Sequence, residues 1–155
     1  MASNKKRVAL IGKIGSGKTT LMQRLNEEEL KYSKTQMVQY FDDFIDTPGE
    51  FIELPFFSRQ AINITMDAGL VILVNSCVDP QNSVPPNLIH TYNIPALGVV
   101  TKTDRSECNI KRSRNLLIYA GINPKHIYEV SSYTGAGIKE LEAAIQHFMA
   151  PHRNK

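Results

Sequence analysis

Only two cysteines occur, Cys77 and Cys108, in neither CxxC spacing nor the number that a disulfide framework needs. A reducing, cytoplasmic setting is therefore the expectation, with Cys77, at the end of an apolar run, read as a small core residue. No apolar stretch approaches the ~18 residues of a membrane span. The apolar run behind the basic N-terminus is interrupted by Gly12 and Lys13, which argues against a signal peptide. Charge of one sign is scarce too: the formal net charge of +3 is too mild to argue for nucleic acid or a membrane as partner. The dense basic clusters, Lys5-Lys6-Arg7 and His152-Arg153-Asn154-Lys155, lie at the ends and read as parts of solvated tails, 1–6 and 151–155. Internal repeats, low-complexity segments and dividing linkers are lacking as well. What is left, 155 residues of which 42% are hydrophobic, can bury one core, so a single domain over 1–155 is expected.

The informative stretch is Gly12-Lys13-Ile14-Gly15-Ser16-Gly17-Lys18-Thr19-Thr20, with Gly12 through Thr19 fitting G-x-x-x-x-G-K-[ST]. It follows Val8-Ala9-Leu10-Ile11 and precedes a helical pattern with Leu21, Met22 and Leu25, the strand-to-helix setting a phosphate loop requires. Gly12 and Gly17 let the backbone turn its N–H groups towards phosphate oxygens, and the next helix directs its positive end at the same charge. Lys18 would reach the β- and γ-phosphates, and the Thr19 hydroxyl can ligate magnesium.

Strand and helix signals alternate along the rest of the chain. A helix is expected over about 17–30, then a short strand over 37–41, a turn at Asp42-Asp43 and a second short strand at Phe44-Ile45. Helical spacing recurs over about 55–66, and Leu70-Val71-Ile72-Leu73-Val74 reads as a strand covered on both faces. The Pro85-Pro86 pair suits a helix start, and Pro95 to Val100 is another buried strand. A helix over about 109–120 has Gly121 as its cap, Ile127 to Val130 is the last strand, and Ile138, Leu141, Ile145 and Phe148 stripe a closing helix. The pattern predicts an α/β fold: a single-domain, mostly parallel sheet flanked by helices, with ligand at the C-terminal ends of the strands.

Three further segments fall at such ends. Asp46-Thr47-Pro48-Gly49 fits D-x-x-G, with Asp46 as a magnesium ligand and the Gly49 N–H meeting the γ-phosphate. Thr101-Lys102-Thr103-Asp104 resembles [NT]-K-x-D: one carboxylate accepts guanine N1–H and N2–H₂ together, so Asp104 would select guanine while Lys102 lays its stem along the base. Ser131 and Ser132 follow the last strand, where a backbone N–H can reach guanine O6. Thr35 is the candidate to complete the magnesium shell, with Ser33 as competitor. Glu50 follows Gly49; it either positions the attacking water or repels the γ-phosphate.

In order, these residues resemble the small-GTPase superfamily of P-loop proteins. G-K-I-G-S-G-K-T-T, the Lys34-Thr35-Gln36 segment, D-T-P-G-E-F from Asp46 to Phe51, and T-K-T-D are similar to the EutP/PduV family of ethanolamine- and propanediol-utilization proteins. The resemblance covers essentially the whole chain. It implies cytoplasmic binding of GTP or GDP with Mg²⁺, association with a bacterial microcompartment, and a shell or pathway protein as partner. It also implies a rival, an ATP-dependent acetate-kinase-like phosphotransferase, for which Arg59 or Lys34 would sit beside the substrate carboxylate. A nucleotide-stabilised structural adaptor is the third reading. No arginine is clearly placed to act in cis on the γ-phosphate, so hydrolysis is expected to be slow.

Overall fold

A computed structural model describes residues 6–13, 15–26, 39–41, 44–46, 66–79, 84 and 86–149; at 39–41 and 46 the backbone alone is described. The strands are β1 (Arg7–Ile11), β2 (Gln39–Phe41), β3 (Phe44–Asp46), β4 (Ala68–Ser76), β5 (Ala96–Thr101) and β6 (Ile127–Glu129). They form one sheet in the order β2-β3-β1-β4-β5-β6. Neighbours pair in parallel except β2 with β3, an antiparallel edge. The helices are α1 (Lys18–Leu25), α2 (Ile110–Tyr119) and α3 (Ile138–Met149).

The continuous apolar run of β4 makes sense in this arrangement, because both of its faces are covered. Val8, Leu10, Leu70, Ile72, Val74, Leu97 and Val99 share one apolar cluster with Leu21 and Met22 of α1 and Ile138, Leu141 and Ala144 of α3. The alternate residues Ala9, Ile11, Val71, Leu73 and Val100 face the other side, against Leu117 and Ala120, with Ile89 and Tyr92. Two-residue alternation thus assigns each strand residue to a layer. Burial pushes the Tyr92 hydroxyl up to about 12.

The α/β expectation is borne out, with adjustments at the element level. The first helix is described only to Leu25, with Asn26 as its cap; the expected continuation to 30 lies outside the described residues. The segment after Pro85-Pro86 forms a four-residue 3-10 turn, Leu88–Thr91, rather than an α-helix. Asn87 enters it in the left-handed region at φ 56, and Tyr92 N–H already returns to Ile89 O, which closes the turn early. The cap of α2 is as expected: Ile122 N–H bonds Leu117 O and Gly121 N–H bonds Ile118 O, the paired bonds of a Schellman ending. The helix expected over about 55–66, apart from Met66, lies outside the described residues, as do the turn at Asp42-Asp43 and the tails at 1–5 and 151–155. Lys6, expected in the first tail, donates from Nζ to Met66 O at 2.5 Å. Among the described residues, no helix is long and apolar enough to cross a membrane.

The cysteines depart from expectation. Cys77 is a core residue, 1% exposed, but it is also disulfide-bonded to Cys108. The sequence separation of 31 hid a Cα–Cα distance of 4.7 Å. Cys77 leaves β4 and Cys108 lies just past β5; these strands are parallel neighbours, with Ser76 opposite Thr101, so their exits meet at one edge.

Candidate functional site

The C-terminal ends of β1, β3, β4, β5 and β6 gather the motif residues. After β1 the chain enters the phosphate loop, where Ser16 N–H closes a turn onto Lys13 O at 3.0 Å. Gly12 is tightly enclosed: a Cβ there would sit 2.6 Å from Val74 O and 2.8 Å from Ser16 Oγ. No larger residue fits between the loop and β4. Gly15 and Gly17 take φ of 83° and 93°. Gly17 precedes α1 without a side-chain cap, so the first-turn N–H groups of that helix have no capping side chain. Lys18 begins the helix and is buried; Thr19 and Thr20 follow, half-buried. Ser16 is 4% exposed, and its Oγ is buried without a hydrogen-bond partner. A helix start whose cap residue is a glycine with no side chain to offer, an orphaned hydroxyl and a loop that accepts only glycine at position 12 fit a bound polyphosphate. Ile14 lies outside the described residues.

The T-K-T-D segment is tied directly to this loop. Thr101, 2% exposed at the end of β5, donates from Oγ1 to Ser16 O at 2.5 Å. Its other contact, Asn75 O at 3.4 Å, is secondary, because the hydroxyl has one hydrogen to give. Lys102 donates from Nζ to Gly15 O at 2.8 Å. That reach of 87 residues puts the lysine stem alongside the phosphate loop. Lys102 holds φ 64°, a left-handed conformation uncommon for a side-chain-bearing residue. Burial lowers its ammonium pKa below the usual lysine range, the like charge of Arg105 adds to this, and Asp79 opposes it.

Asp104 is exposed and is held by the third segment. Ser131 Oγ donates to Asp104 Oδ1 at 2.8 Å and accepts from Thr134 N–H at 3.1 Å. Thr103 N–H also bonds Val130 O, and Ser131 N–H bonds Ala136 O, so the turn after β6 and the turn after β5 brace each other. Ser132 is buried beside Ser131. The structure therefore brings together Gly12, Lys13, Gly15, Ser16, Gly17, Lys18, Thr19 and Thr20 on one side, with Thr101, Lys102, Asp104, Ser131 and Ser132 on the other.

The remaining site candidates are less defined. Asp46 ends β3, its backbone opposite Leu10 of β1, which puts it at the correct edge. Thr35, Gly49 and Glu50 lie outside the described residues, as do Ser33, Lys34 and Arg59. Sequence reasoning missed the Cys77–Cys108 link behind T-K-T-D. The sequence carries part of the signal, since Cys77 closes one buried apolar run and Cys108 follows the other by a few residues; the parallel pairing of those runs supplies the rest.

Residues 5–147 match the PduV-EutP family model, described as ethanolamine utilisation - propanediol utilisation. The chain belongs to the PduV-EutP family. It is 30% identical over 138 residues to "Probable acetate kinase EutP" of Escherichia coli (strain K12), covering 88% of this chain and 86% of that protein. It is 31% identical over 137 residues to "Propanediol utilization protein PduV" of Citrobacter freundii, covering 88% and 90%. A crystal structure titled as a probable GTP-binding protein engB superposes with a TM-score of 0.69, at 18% identity, over 92% of this chain and 98% of that one. This last likeness establishes a GTPase-like fold for the PduV-EutP member.

Proposed function

We propose that this PduV-EutP protein is a magnesium-dependent GTP-binding protein with slow intrinsic hydrolysis. In this reading it is a regulatory or targeting component of a microcompartment pathway for ethanolamine or propanediol, acting on a shell or pathway protein. One observation carries the nucleotide part: Thr101 and Lys102 bond the carbonyls of Ser16 and Gly15 while Ser131 fixes Asp104. Three segments distant in sequence are thereby joined around one edge of the sheet. Lys18 and the loop N–H groups hold phosphate, Thr19 with Asp46 and Thr35 organises magnesium, and Asp104 accepts from guanine N1–H and N2–H₂. Ser131 occupies one of about four acceptor positions on the Asp104 carboxylate, leaving enough for both guanine donors.

Slow turnover is supported by the contacts of three described arginines. Arg105 pairs with Glu107, Arg112 bonds Cys77 O, and Arg114 bonds Glu129 and Pro124 O. A cis arginine on the γ-phosphate is worth about 10³–10⁵ in rate, so arginines held in other contacts leave turnover low. The test is a panel of affinities for GTP, GDP, ATP and ADP with and without magnesium, and turnover with and without acetate. Guanine preference and slow, acetate-independent hydrolysis support the proposal.

The second reading, an ATP-dependent acetate kinase, is favoured by the name of the 30% identical relative from Escherichia coli. Adenine preference with acetate-stimulated turnover in the same panel selects it over the switch.

A further inference from the structure

We propose that the Cys77–Cys108 disulfide is a redox-modifiable site, opened by thiol–disulfide exchange with a dithiol reductant, and that opening it loosens the protein's hold on the nucleotide base. The coupling to nucleotide rests on the GTP-binding reading; the redox site itself does not. The bond lies directly behind the base-side turn. Cys77 N–H bonds Thr101 O at 3.2 Å, and Asn109 N–H bonds Cys77 O at 2.7 Å. Between those two bonds runs the turn carrying Lys102 and Asp104, with Cys108 four residues beyond the aspartate. The turn is thus pinned at its start by the phosphate loop, in its middle by Ser131, and at its far end by the disulfide.

Lys102 makes this third pin matter. A left-handed, non-glycine residue persists only where its surroundings hold it there. Its carbonyl lies 3.4 Å from Cys77 Sγ. In the disulfide that sulfur carries no hydrogen, so the contact is simple packing. After reduction the Cys77 thiol gains a hydrogen and can donate it to Lys102 O. Reduction therefore exchanges a covalent tie for one weak S–H···O bond beside the strained residue.

The exchange balances without further partners. A thiolate of the dithiol attacks Sγ of Cys108, the half-buried and less enclosed residue of the pair, and Cys77 leaves as thiolate. The reductant's second thiol then attacks its own bound sulfur and releases Cys108. Two electrons and two protons pass to the protein, and the reductant becomes a disulfide. The Arg112 guanidinium, with Nη2 3.5 Å from Cys77 O, brings positive charge that favours the leaving thiolate. A cavity of about 250 Å³ bordered by Ser76, Asp79, Arg112, Ser113 and Tyr119 leaves free volume next to this exit of β4.

The test uses the full chain in three readouts. Alkylation followed by mass spectrometry, with and without dithiothreitol, should label both cysteines only after reduction. Hydrogen exchange on the nucleotide-free protein should quicken at residues 102–109 on reduction. Calorimetry should show GDP binding roughly three- to tenfold weaker in the reduced protein, the loss expected when a preorganised loop must be reordered on binding. Cys108→Ser should behave as the reduced form and ignore dithiothreitol. Labelling of both thiols without reductant overturns the redox site. Equal GDP affinity in the two states, with the disulfide confirmed, overturns the coupling alone. Failure to bind GDP in either state overturns the GTP-binding reading and the coupling with it, while alkylation and exchange still judge the redox site.

Discussion

The proposed phosphate side and the proposed base side of the candidate site are built in opposite ways. On the phosphate side the backbone does the shaping: glycines at 12, 15 and 17, and helix N–H groups with no capping side chain. On the base side the shape comes from side chains that cross between segments, Thr101 to Ser16, Lys102 to Gly15, Ser131 to Asp104 and Cys77 to Cys108. A backbone-shaped site is written in consecutive letters. A site shaped by crossing side chains is written in pairs that the chain separates by 27 to 87 residues.

Four experiments would break or sharpen this contrast. The largest effect is expected on the phosphate side, where Lys18 is the proposed contact to the β- and γ-phosphates. Lys18→Ala should lose at least about 3 kcal/mol of triphosphate binding, roughly two decades of affinity, together with turnover. Calorimetry showing equal affinity for mutant and parent would remove the phosphate-loop assignment.

On the base side, Asp104→Asn replaces one acceptor by a donor facing guanine N2–H₂. A donor facing a donor once the base covers Asp104 costs about 1–3 kcal/mol, or roughly one to two decades of GTP affinity. Xanthine has a carbonyl at that position, so xanthosine triphosphate should bind better than to the parent. A mutant that keeps its guanine preference would show that Asp104 does not read the base.

Thr101→Val tests the bridge between the two sides while keeping side-chain shape. It removes the donor to the buried Ser16 carbonyl, at a cost of about 1–3 kcal/mol in stability. Because the bond joins phosphate loop and base turn, affinities for GTP and GDP should fall together with base preference unchanged. A change in preference without loss of stability would mean the two sides are independent.

Tyr92 belongs to neither side and gauges the scaffold. Its folded pKa, about 12, stands above the ordinary tyrosine value of 10.0, so the folded chain keeps a proton that the unfolded chain loses between those values. Its contribution is intact below pH 10 and is lost as pH rises towards 12, on the order of 2 kcal/mol in all. Denaturation midpoints of Tyr92→Phe should lack that part of the alkaline decline, and near pH 7 the substitution should have little effect.

The same contrast explains what could be read from the sequence. The succession of strands and helices along the chain was legible because β4 and β5 have continuous apolar runs, Leu70 to Val74 and Ala96 to Val100, and the closing helix displays its buried stripe at Ile138 and Leu141. The phosphate loop was legible because backbone conformation demands glycine at fixed offsets. The end of the segment after Pro85-Pro86 was not, since a 3-10 turn and an α-helix begin with the same letters and differ in where Tyr92 N–H bonds. Nor was the disulfide, because pairing across 31 residues depends on which strands are neighbours. Thr101 departs from the commoner asparagine of its motif, yet its hydroxyl reaches the Ser16 carbonyl, a contact that no four-letter pattern encodes.

The Ser131 hydroxyl, which gives its hydrogen to Asp104 and takes one from Thr134, has a consequence for how such proteins diverge. The residue that aims the carboxylate lies 27 positions from it, in a turn with its own geometry to maintain. A descendant could keep T-K-T-D letter for letter, change only position 131, and leave the aspartate free to swing. Its nucleotide preference would then drift while its signature stayed whole. Among relatives, inheritance of base choice should therefore be traced through two places at once.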